Sequence, residues 1–190
     1  TLLDISPDLL QIAREKIKQS GLPVRVIEGD IEQTNFDDQQ FDLVIAEGGV
    51  VSLTPDPERM MQELKRITKC KGYLWIDYLN LPGWALLQPE LERKATLVSK
   101  EEELIYMGKN NVPFRLFSPK KIRHLLYDSG FMEVNEFGNG IITQPMMDDE
   151  LFKKDALETI KNAELALSRM YTLIGSAFHI EVLAQKVING

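Results

Sequence analysis

The sequence has very little cysteine and histidine. Cys70 is the only cysteine of the 190 residues, which excludes a disulfide within them and is typical of a reducing compartment. His124 and His179 are the only histidines and lie far apart, so the zinc-ligand spacing of Cys and His residues is absent. No metal site is therefore expected, and the expected location is the cytoplasm.

Long apolar runs and an excess of positive charge are also missing. No stretch approaches the roughly 20 apolar residues that a membrane span needs, and no signal peptide is recognisable. The 22 Lys and Arg residues are outnumbered by 29 Asp and Glu, for a net charge of −7, which disfavours binding to nucleic-acid phosphates. The expected partner is therefore a small molecule, not a membrane or a nucleic acid, and no feature indicates an oligomeric state.

Strand and helix signals alternate through the first 78 residues. Apolar runs typical of buried strands end at Asp4, at Asp30, at Glu47 and at Asp77. Helix signals lie between them, in "SPDLLQIAREKIKQSG" and "TPDPERMMQELKRITK". This order predicts an α/β fold with a doubly wound, mostly parallel sheet in a single domain over residues 1–190.

The second half of the chain is less regular. Prolines interrupt residues 79–117, which we interpret as an irregular insertion or lid whose Trp84 and Tyr106 are candidate substrate contacts. Beyond it, "SPKKIRHLLYDSG" predicts a helix and "FMEVNEF" a strand. A long amphipathic helix is expected in "DDELFKKDALETIKNAELALSRMYTLI", followed by a closing strand in "FHIEVLAQKV".

Acidic and small residues follow the predicted strands at their carboxyl ends, where ligands bind in open α/β sheets. One acid there can accept hydrogen bonds from two ribose hydroxyls. A second acid beside an apolar side chain, as in Asp30-Ile31, can bind the amine of a purine while its neighbour covers the ring. The sequence therefore predicts an adenosine site formed by Asp4 and by Asp30 with Ile31. The other residues that follow the strand ends at this rim are Glu47, Gly48, Gly49, Asp77, Tyr78 and Asn80.

Four segments in order carry a family resemblance: "LLDISPDLLQIAREK", "VIEGDIEQTNFDDQQFDLVIAEGG", "DPERMMQELKRITKCKGYLWI" and "HIEVLAQK". They resemble the class I S-adenosylmethionine-dependent methyltransferases, most of all the small-molecule branch of ubiquinone and menaquinone biosynthesis. The resemblance is close over residues 2–78 and looser over 118–137 and 178–187. It implies a Rossmann-like fold with an antiparallel last strand, S-adenosylmethionine as cofactor, S-adenosylhomocysteine as product and a small-molecule methyl acceptor.

The resemblance also implies roles for individual residues. Asp4 would bind the ribose hydroxyls, and Asp30 the adenine amine with Ile31 against the ring. Glu47 and Gly48 would line the wall near the methionine part of the cofactor. The same cofactor set includes Ile5, close to the adenine, with Ser6 and Gly29; the acceptor side would be formed by Tyr78, Asn80, Trp84 and Tyr106. No catalytic residue is assigned, and His179 is interpreted as structural.

Two departures from the family pattern stand out. The turn before the fourth strand is Lys69-Cys70-Lys71-Gly72, where the family has Lys-Pro-Gly-Gly. The family's first strand, with the glycine-rich loop that wraps the methionine part, has no counterpart here, although it lies between the strand ending at Asp4 and that of residues 41–46. Unpaired buried backbone groups cost about 1–3 kcal/mol each, against a net stability of roughly 5–15 kcal/mol. We therefore expect the domain to be N-terminally incomplete, with an upstream apolar strand and a Gly-x-Gly-like loop.

Two other functions compete with methyl transfer. An inactive or regulatory binding module with the same fold would lack the cofactor loop. A nicotinamide-dependent dehydrogenase would share an acid after its second strand, but it has no need of the Gly29-Asp30 pair or of an antiparallel last strand.

Overall fold

The computed structural model describes residues 1–143 and 154–187. The strands and helices follow the predicted order over residues 1–79. Their bounds are β1 (Leu2–Asp4), α1 (Pro7–Ser20), β2 (Val26–Glu28), β3 (Phe41–Ala46), α2 (Val50–Leu53), α3 (Pro57–Ile67), β4 (Thr68–Leu79), α4 (Leu81–Leu86), α5 (Leu91–Val98), β5 (Glu102–Met107), β6 (Val112–Phe117), α6 (Pro119–Asp128), β7 (Phe131–Asn139), α7 (Lys154–Leu167), α8 (Tyr171–Ile174) and β8 (His179–Lys186).

The main sheet has four strands in the order β3-β4-β8-β7. β3 is parallel to β4, whereas β8 runs antiparallel to both β4 and β7. The antiparallel β8 confirms the predicted orientation of the last strand. Its register places Glu181 opposite Asp77 and His179 opposite Leu79.

β1 and β2 form a separate two-stranded parallel sheet, with Asp4 opposite Glu28. Within residues 1–143 and 154–187, neither strand pairs with β3. The edge of β1 and the edge of β3 are therefore both without a strand partner in the described part of the chain.

The hydrophobic core lies on one face of the main sheet. The predicted apolar stripe of α3 is buried there, with Met60 and Met61 fully inaccessible, and it packs with α6 against Leu74 and Ile76 of β4. Side chains alternate between the two faces of a strand. The opposite face is much more open: Leu43 is 49% exposed, Ile45 63% and Tyr73 40%.

The segment 79–117 is regular, which corrects the expectation of irregular structure. It contains α4, α5 and the antiparallel hairpin β5–β6. Its prolines occupy positions that tolerate a missing N–H: Pro82 lies in the first turn of α4, and Pro113 lies in a two-stranded hairpin. A second core cluster under this segment contains Leu79, Leu81, Ala85, Leu97, Leu116 and Phe178.

The long helix expected before the last strand is divided. α7 ends at Leu167, where the Ser168 carbonyl accepts a hydrogen bond from the Gly138 N–H of β7, and α8 follows as a separate turn. The two acids proposed to start the helix, Asp148 and Asp149, lie outside the described residues. No helix of the described ranges has both the length and the apolar character needed to cross a lipid bilayer.

Candidate functional site

A cavity of about 460 Å³ separates β1 from β3. Leu2 and Leu3 form one wall, and Leu43 and Ile45 form the other. Two carboxylates from the predicted site, Asp4 and Glu47, line this cavity together with Ile31. Three of the residues assigned to cofactor binding are thus brought to one space between the strand ends.

Asp4 is fixed by the start of α1. Its Oδ1 accepts the Ser6 N–H at 2.8 Å, and the Ser6 Oγ caps the helix by accepting the Leu9 N–H at 3.3 Å. The Asp4 Oδ2 has no hydrogen-bond partner among the described residues and remains available to a ligand. Ile5, between Asp4 and Ser6, is 69% exposed. Ser6 is the N-cap of α1.

Gly29 follows β2 directly, and a tight turn from Asp30 to Gln33 comes after it. The Gly29 N–H donates to the Asp4 carbonyl at 3.0 Å, and a Cβ on Gly29 would lie only 2.9 Å from the Leu3 Cδ1. The Leu3 side chain therefore packs closely against the backbone of Gly29. Asp30 accepts the Glu32 N–H at 2.9 Å through Oδ1 and is exposed, outside the cavity wall that Ile31 joins.

The chain turns after β3 at Glu47-Gly48-Gly49, and the two glycines adopt a left-handed backbone conformation. The φ angles are 93° at Gly48 and 74° at Gly49, a region that a side chain would strain. The Gly49 N–H donates to both oxygens of Asp77, at 2.9 and 3.0 Å. This contact fixes the turn at the carboxyl end of β4 and leaves Glu47 exposed at the cavity.

A second group of polar residues adjoins this turn. The His179 Nδ1 lies 3.3 Å from the Asp77 Oδ2, and the Asn139 Nδ2 donates to the Glu181 Oε1 at 3.1 Å. Burial raises the pKa of the Glu181 carboxyl above its usual value, and the nearby charges of Glu47 and Asp77 raise it further. Glu47 also lines the cavity, so the cavity and this second group of polar residues lie at the same rim of the sheet.

Sequence reasoning missed His179 and Glu181. Asp77 was recognised as a strand-end acid, but its partners come from β8, about 100 residues later. The one available signal was the prediction that the last strand is antiparallel, because an antiparallel β8 brings its first residues to the carboxyl end of β4.

Tyr78 and Asn80 do not present their side chains at the cavity, although the sequence placed both on the acceptor side. β4 continues through Leu79, so alternation turns Tyr78 to the core face, where it is fully buried. Burial raises the pKa of the Tyr78 hydroxyl well above its usual value. The Asn80 Nδ2 donates to the carbonyls of Gly175 and Ala177, at 3.0 and 2.7 Å.

Trp84 and Tyr106 lie in the segment 79–117. The Trp84 ring packs on Phe178 with centroids 5.3 Å apart, and Tyr106 is 63% exposed on β5. Neither lines the cavity between β1 and β3. A contact of these two side chains with an acceptor stays a prediction.

Comparison with known proteins finds similarity to methyltransferases in the first part of the chain. Residues 1–76 match the family described as "Methyltransferase domain". The chain is 39% identical over 102 residues to 2-methyl-6-phytyl-1,4-hydroquinone methyltransferase 1 of Oryza sativa, covering 48% of the chain and 30% of the relative. It is 36% identical over 88 residues to the demethylmenaquinone methyltransferase of Listeria monocytogenes, covering 44% and 37%. The chain thus spans about a third of the length of these relatives.

Solved structures share the fold across nearly the whole chain. A methyltransferase from Methanosarcina mazei superposes with a TM-score of 0.61 at 15% identity, covering 98% of this chain and 81% of that one. One from Thermotoga maritima gives 0.61 at 20% identity, covering 97% and 72%. The shared fold confirms the predicted Rossmann-like architecture, and the match over residues 1–76 agrees with the predicted resemblance to S-adenosylmethionine-dependent methyltransferases.

Proposed function

We propose that this protein transfers the methyl group of S-adenosylmethionine to a small-molecule acceptor. The observation that carries the proposal is the cavity between β1 and β3, because two strand-end carboxylates, Asp4 and Glu47, line it together with the apolar Ile31. Acidic groups at such a rim favour a ligand that carries both ribose hydroxyls and a positive charge. The expected compartment is the cytoplasm.

The residues present fit S-adenosylmethionine. The unpartnered Asp4 Oδ2 would accept a ribose hydroxyl, Asp30 would accept the adenine amine, and Ile31 would pack on the ring. Glu47 and Gly48 would lie beside the methionine part, where the negative charge of Glu47 attracts the sulfonium. The cofactor supplies an electrophilic methyl group, so the protein's own task is to align an acceptor with it and to exclude water.

We further propose that one more apolar strand pairs between β1 and β3. The support is that the edges of β1 and β3 lack a strand partner within residues 1–143 and 154–187, and that Leu43 and Ile45 are exposed on one face of the main sheet. A strand there would satisfy both edges, and a glycine-containing turn after it would complete the methionine side of the site. The domain of residues 1–190 would then form one continuous sheet from β2 to β7.

For the acceptor we propose a hydroquinone. The support comes from the names of two relatives, one a methyltransferase of a hydroquinone and the other of demethylmenaquinone. A third relative, 38% identical over 74 residues, is named a phosphatidylethanolamine N-methyltransferase, so an amine is the acceptor to test against it.

The experiment combines binding with turnover, using the protein as its gene encodes it. S-adenosylmethionine is titrated by calorimetry, and S-adenosylhomocysteine is then measured after incubation with 2-prenyl-1,4-naphthoquinol or with phosphatidylethanolamine in micelles. We expect saturable binding, and product with the naphthoquinol. Binding without product from any acceptor would favour a regulatory module, and the absence of binding would overturn the proposal.

A further inference from the structure

Asp77 and His179 form a partly buried pair at the rim of the main sheet. The Asp77 side chain is only 10% exposed, whereas the His179 side chain is 31% exposed, with Nδ1 at 3.3 Å from the Asp77 Oδ2. Two separate strands bring them together, β4 from the middle of the chain and β8 from its end. The pair therefore has one end fixed inside the protein and the other open to a ligand.

The hydrogen bonds of Asp77 set the tautomer of His179. The carboxylate already accepts the Gly49 N–H through both oxygens, and it has no proton to give. Its contact with His179 is therefore an Nδ1–H donor bond, and in a neutral imidazole Nε2 then carries the lone pair that can accept a proton. This is the arrangement of a general base with a carboxylate that orients it.

The pair belongs to the same rim as the cavity. The Gly49 N–H that binds Asp77 lies two residues after Glu47, which lines the cavity between β1 and β3. Glu181 of β8 lies close enough to Asp77, Glu47 and His179 for their charges to shift its pKa.

We propose that His179 is the general base of the methyl transfer and that Asp77 is its positioning residue. The inference rests on the proposed function and deepens it, since it selects acceptors that carry an ionisable hydroxyl, such as hydroquinones and phenols. A merely structural pair would join β8 to β4 without any effect on the pH dependence of turnover.

The step balances as follows. His179 Nε2 takes the proton of the acceptor hydroxyl as that O–H bond breaks. The electron pair of that O–H bond would form a new bond from the acceptor oxygen to the methyl carbon, and the pair of the methyl–sulfur bond would stay on the sulfur. The products are the methylated acceptor, S-adenosylhomocysteine and an imidazolium paired with Asp77, which returns its proton to water.

The test compares His179→Gln with His124→Gln, the same change at an exposed histidine on α6. The protein is used as its gene encodes it, with 2-prenyl-1,4-naphthoquinol and a panel of simple phenols as acceptors. We expect kcat to fall about 100- to 10,000-fold in His179→Gln, with the Kd for S-adenosylmethionine within twofold of the parent. His124→Gln should match the parent in both.

Three further readouts separate a base from a structural residue. The loss of activity in acid, which protonation of an imidazole base causes, should disappear in His179→Gln. Added imidazole should restore part of the turnover of His179→Ala, and Asp77→Asn should lower kcat more than it changes KM. A kcat within threefold of the parent in His179→Gln, or an unchanged pH profile, would overturn the inference.

Failure of the proposed function gives a different result. In that case the parent protein neither binds S-adenosylmethionine nor forms S-adenosylhomocysteine. If the parent binds the cofactor and methylates only acceptors without an ionisable hydroxyl, the proposed function stands and the role of His179 is overturned.

Discussion

Glu63 connects α3 to the loop that follows Asp30 and Ile31, the proposed adenine contacts. Its Oε1 accepts the Thr34 N–H at 2.8 Å and an Arg66 Nη2 hydrogen at 2.7 Å. The Arg66 Nη1 also donates to the Phe36 carbonyl at 2.7 Å. The residues that follow Asp30 and Ile31 are thereby tied to the main body of the protein.

Replacing Glu63 by Gln should destabilise the protein in a pH-dependent way. The hydrogen bond from Arg66 lowers the pKa of Glu63 to about 2, below its ordinary value of 4.5. A depressed carboxyl pKa stabilises the fold above about pH 4.5, and this contribution is lost as the pH falls towards 2. Urea denaturation should give a free energy of unfolding about 2 kcal/mol lower for Glu63→Gln at pH 7, and a smaller difference at pH 3.

The matched control is Glu15→Gln, at an exposed position on α1. It should leave the free energy of unfolding within about 0.5 kcal/mol of the parent at both pH values. A loss for Glu63→Gln that is the same at pH 7 and pH 3 would show that the charge of Glu63 does not stabilise the fold.

At the scale of the elements, α4 packs very closely on the chain that leads into β8. A Cβ built on Gly83 would lie 1.9 Å from the Ala177 carbonyl oxygen, which is a backbone atom and cannot rotate away. The Asn80 side chain holds the same segment through two hydrogen bonds. This packing fixes the position from which His179 enters β8.

Gly83→Ala should therefore destabilise the protein. We expect a loss of roughly 2–3 kcal/mol in the free energy of unfolding, because α4 or the segment before β8 must shift. Gly175→Ala is the matched control, since nothing lies within 4 Å of a Cβ there. Equal unfolding midpoints for the two variants in urea would show that the close approach of α4 is not required.

The helices were predictable from local signals, whereas the register between strands far apart in sequence was not. The Ser-Pro starts of α1 and α6 form as expected, with Ser6 accepting from Leu9 and Ser118 from Lys121. The neighbours Asp77 and Tyr78 take opposite faces because β4 runs on to Leu79, and nothing near them in the sequence fixes that length.

The local features of the candidate site were predictable, but its long-range contacts were not. The carboxylates at the ends of β1 and β3 were recognisable, because each directly follows an apolar run. The pairing of Asp77 with His179 was not, because it depends on the register between β4 and β8, and these strands are far apart in sequence.

At the scale of the whole molecule, the open face beside β3 is the feature that the proposed additional strand explains. Ile45 is 63% exposed in the described structure, yet it lines the cavity wall that such a strand would cover. In the protein as its gene encodes it, Ile45→Asp should lower the free energy of unfolding by about 2–4 kcal/mol, the cost of burying an unpaired charge.

Leu104→Asp is the control for that prediction, because Leu104 is also a half-exposed apolar residue on a strand, in β5. It should cost less than about 1 kcal/mol. If denaturation shows the same small cost at both positions, Ile45 remains open to solvent and no strand covers the cavity.

The central claim is that the cavity between β1 and β3 binds S-adenosylmethionine through Asp4, and calorimetry tests it most directly. Asp4→Asn keeps an oxygen for the Ser6 N–H and removes the charge, whereas Asp8→Asn makes the same change at an exposed site in the first turn of α1. We predict a Kd at least about tenfold higher for Asp4→Asn and an unchanged Kd for Asp8→Asn. Equal affinities for Asp4→Asn, Asp8→Asn and the parent would contradict the account.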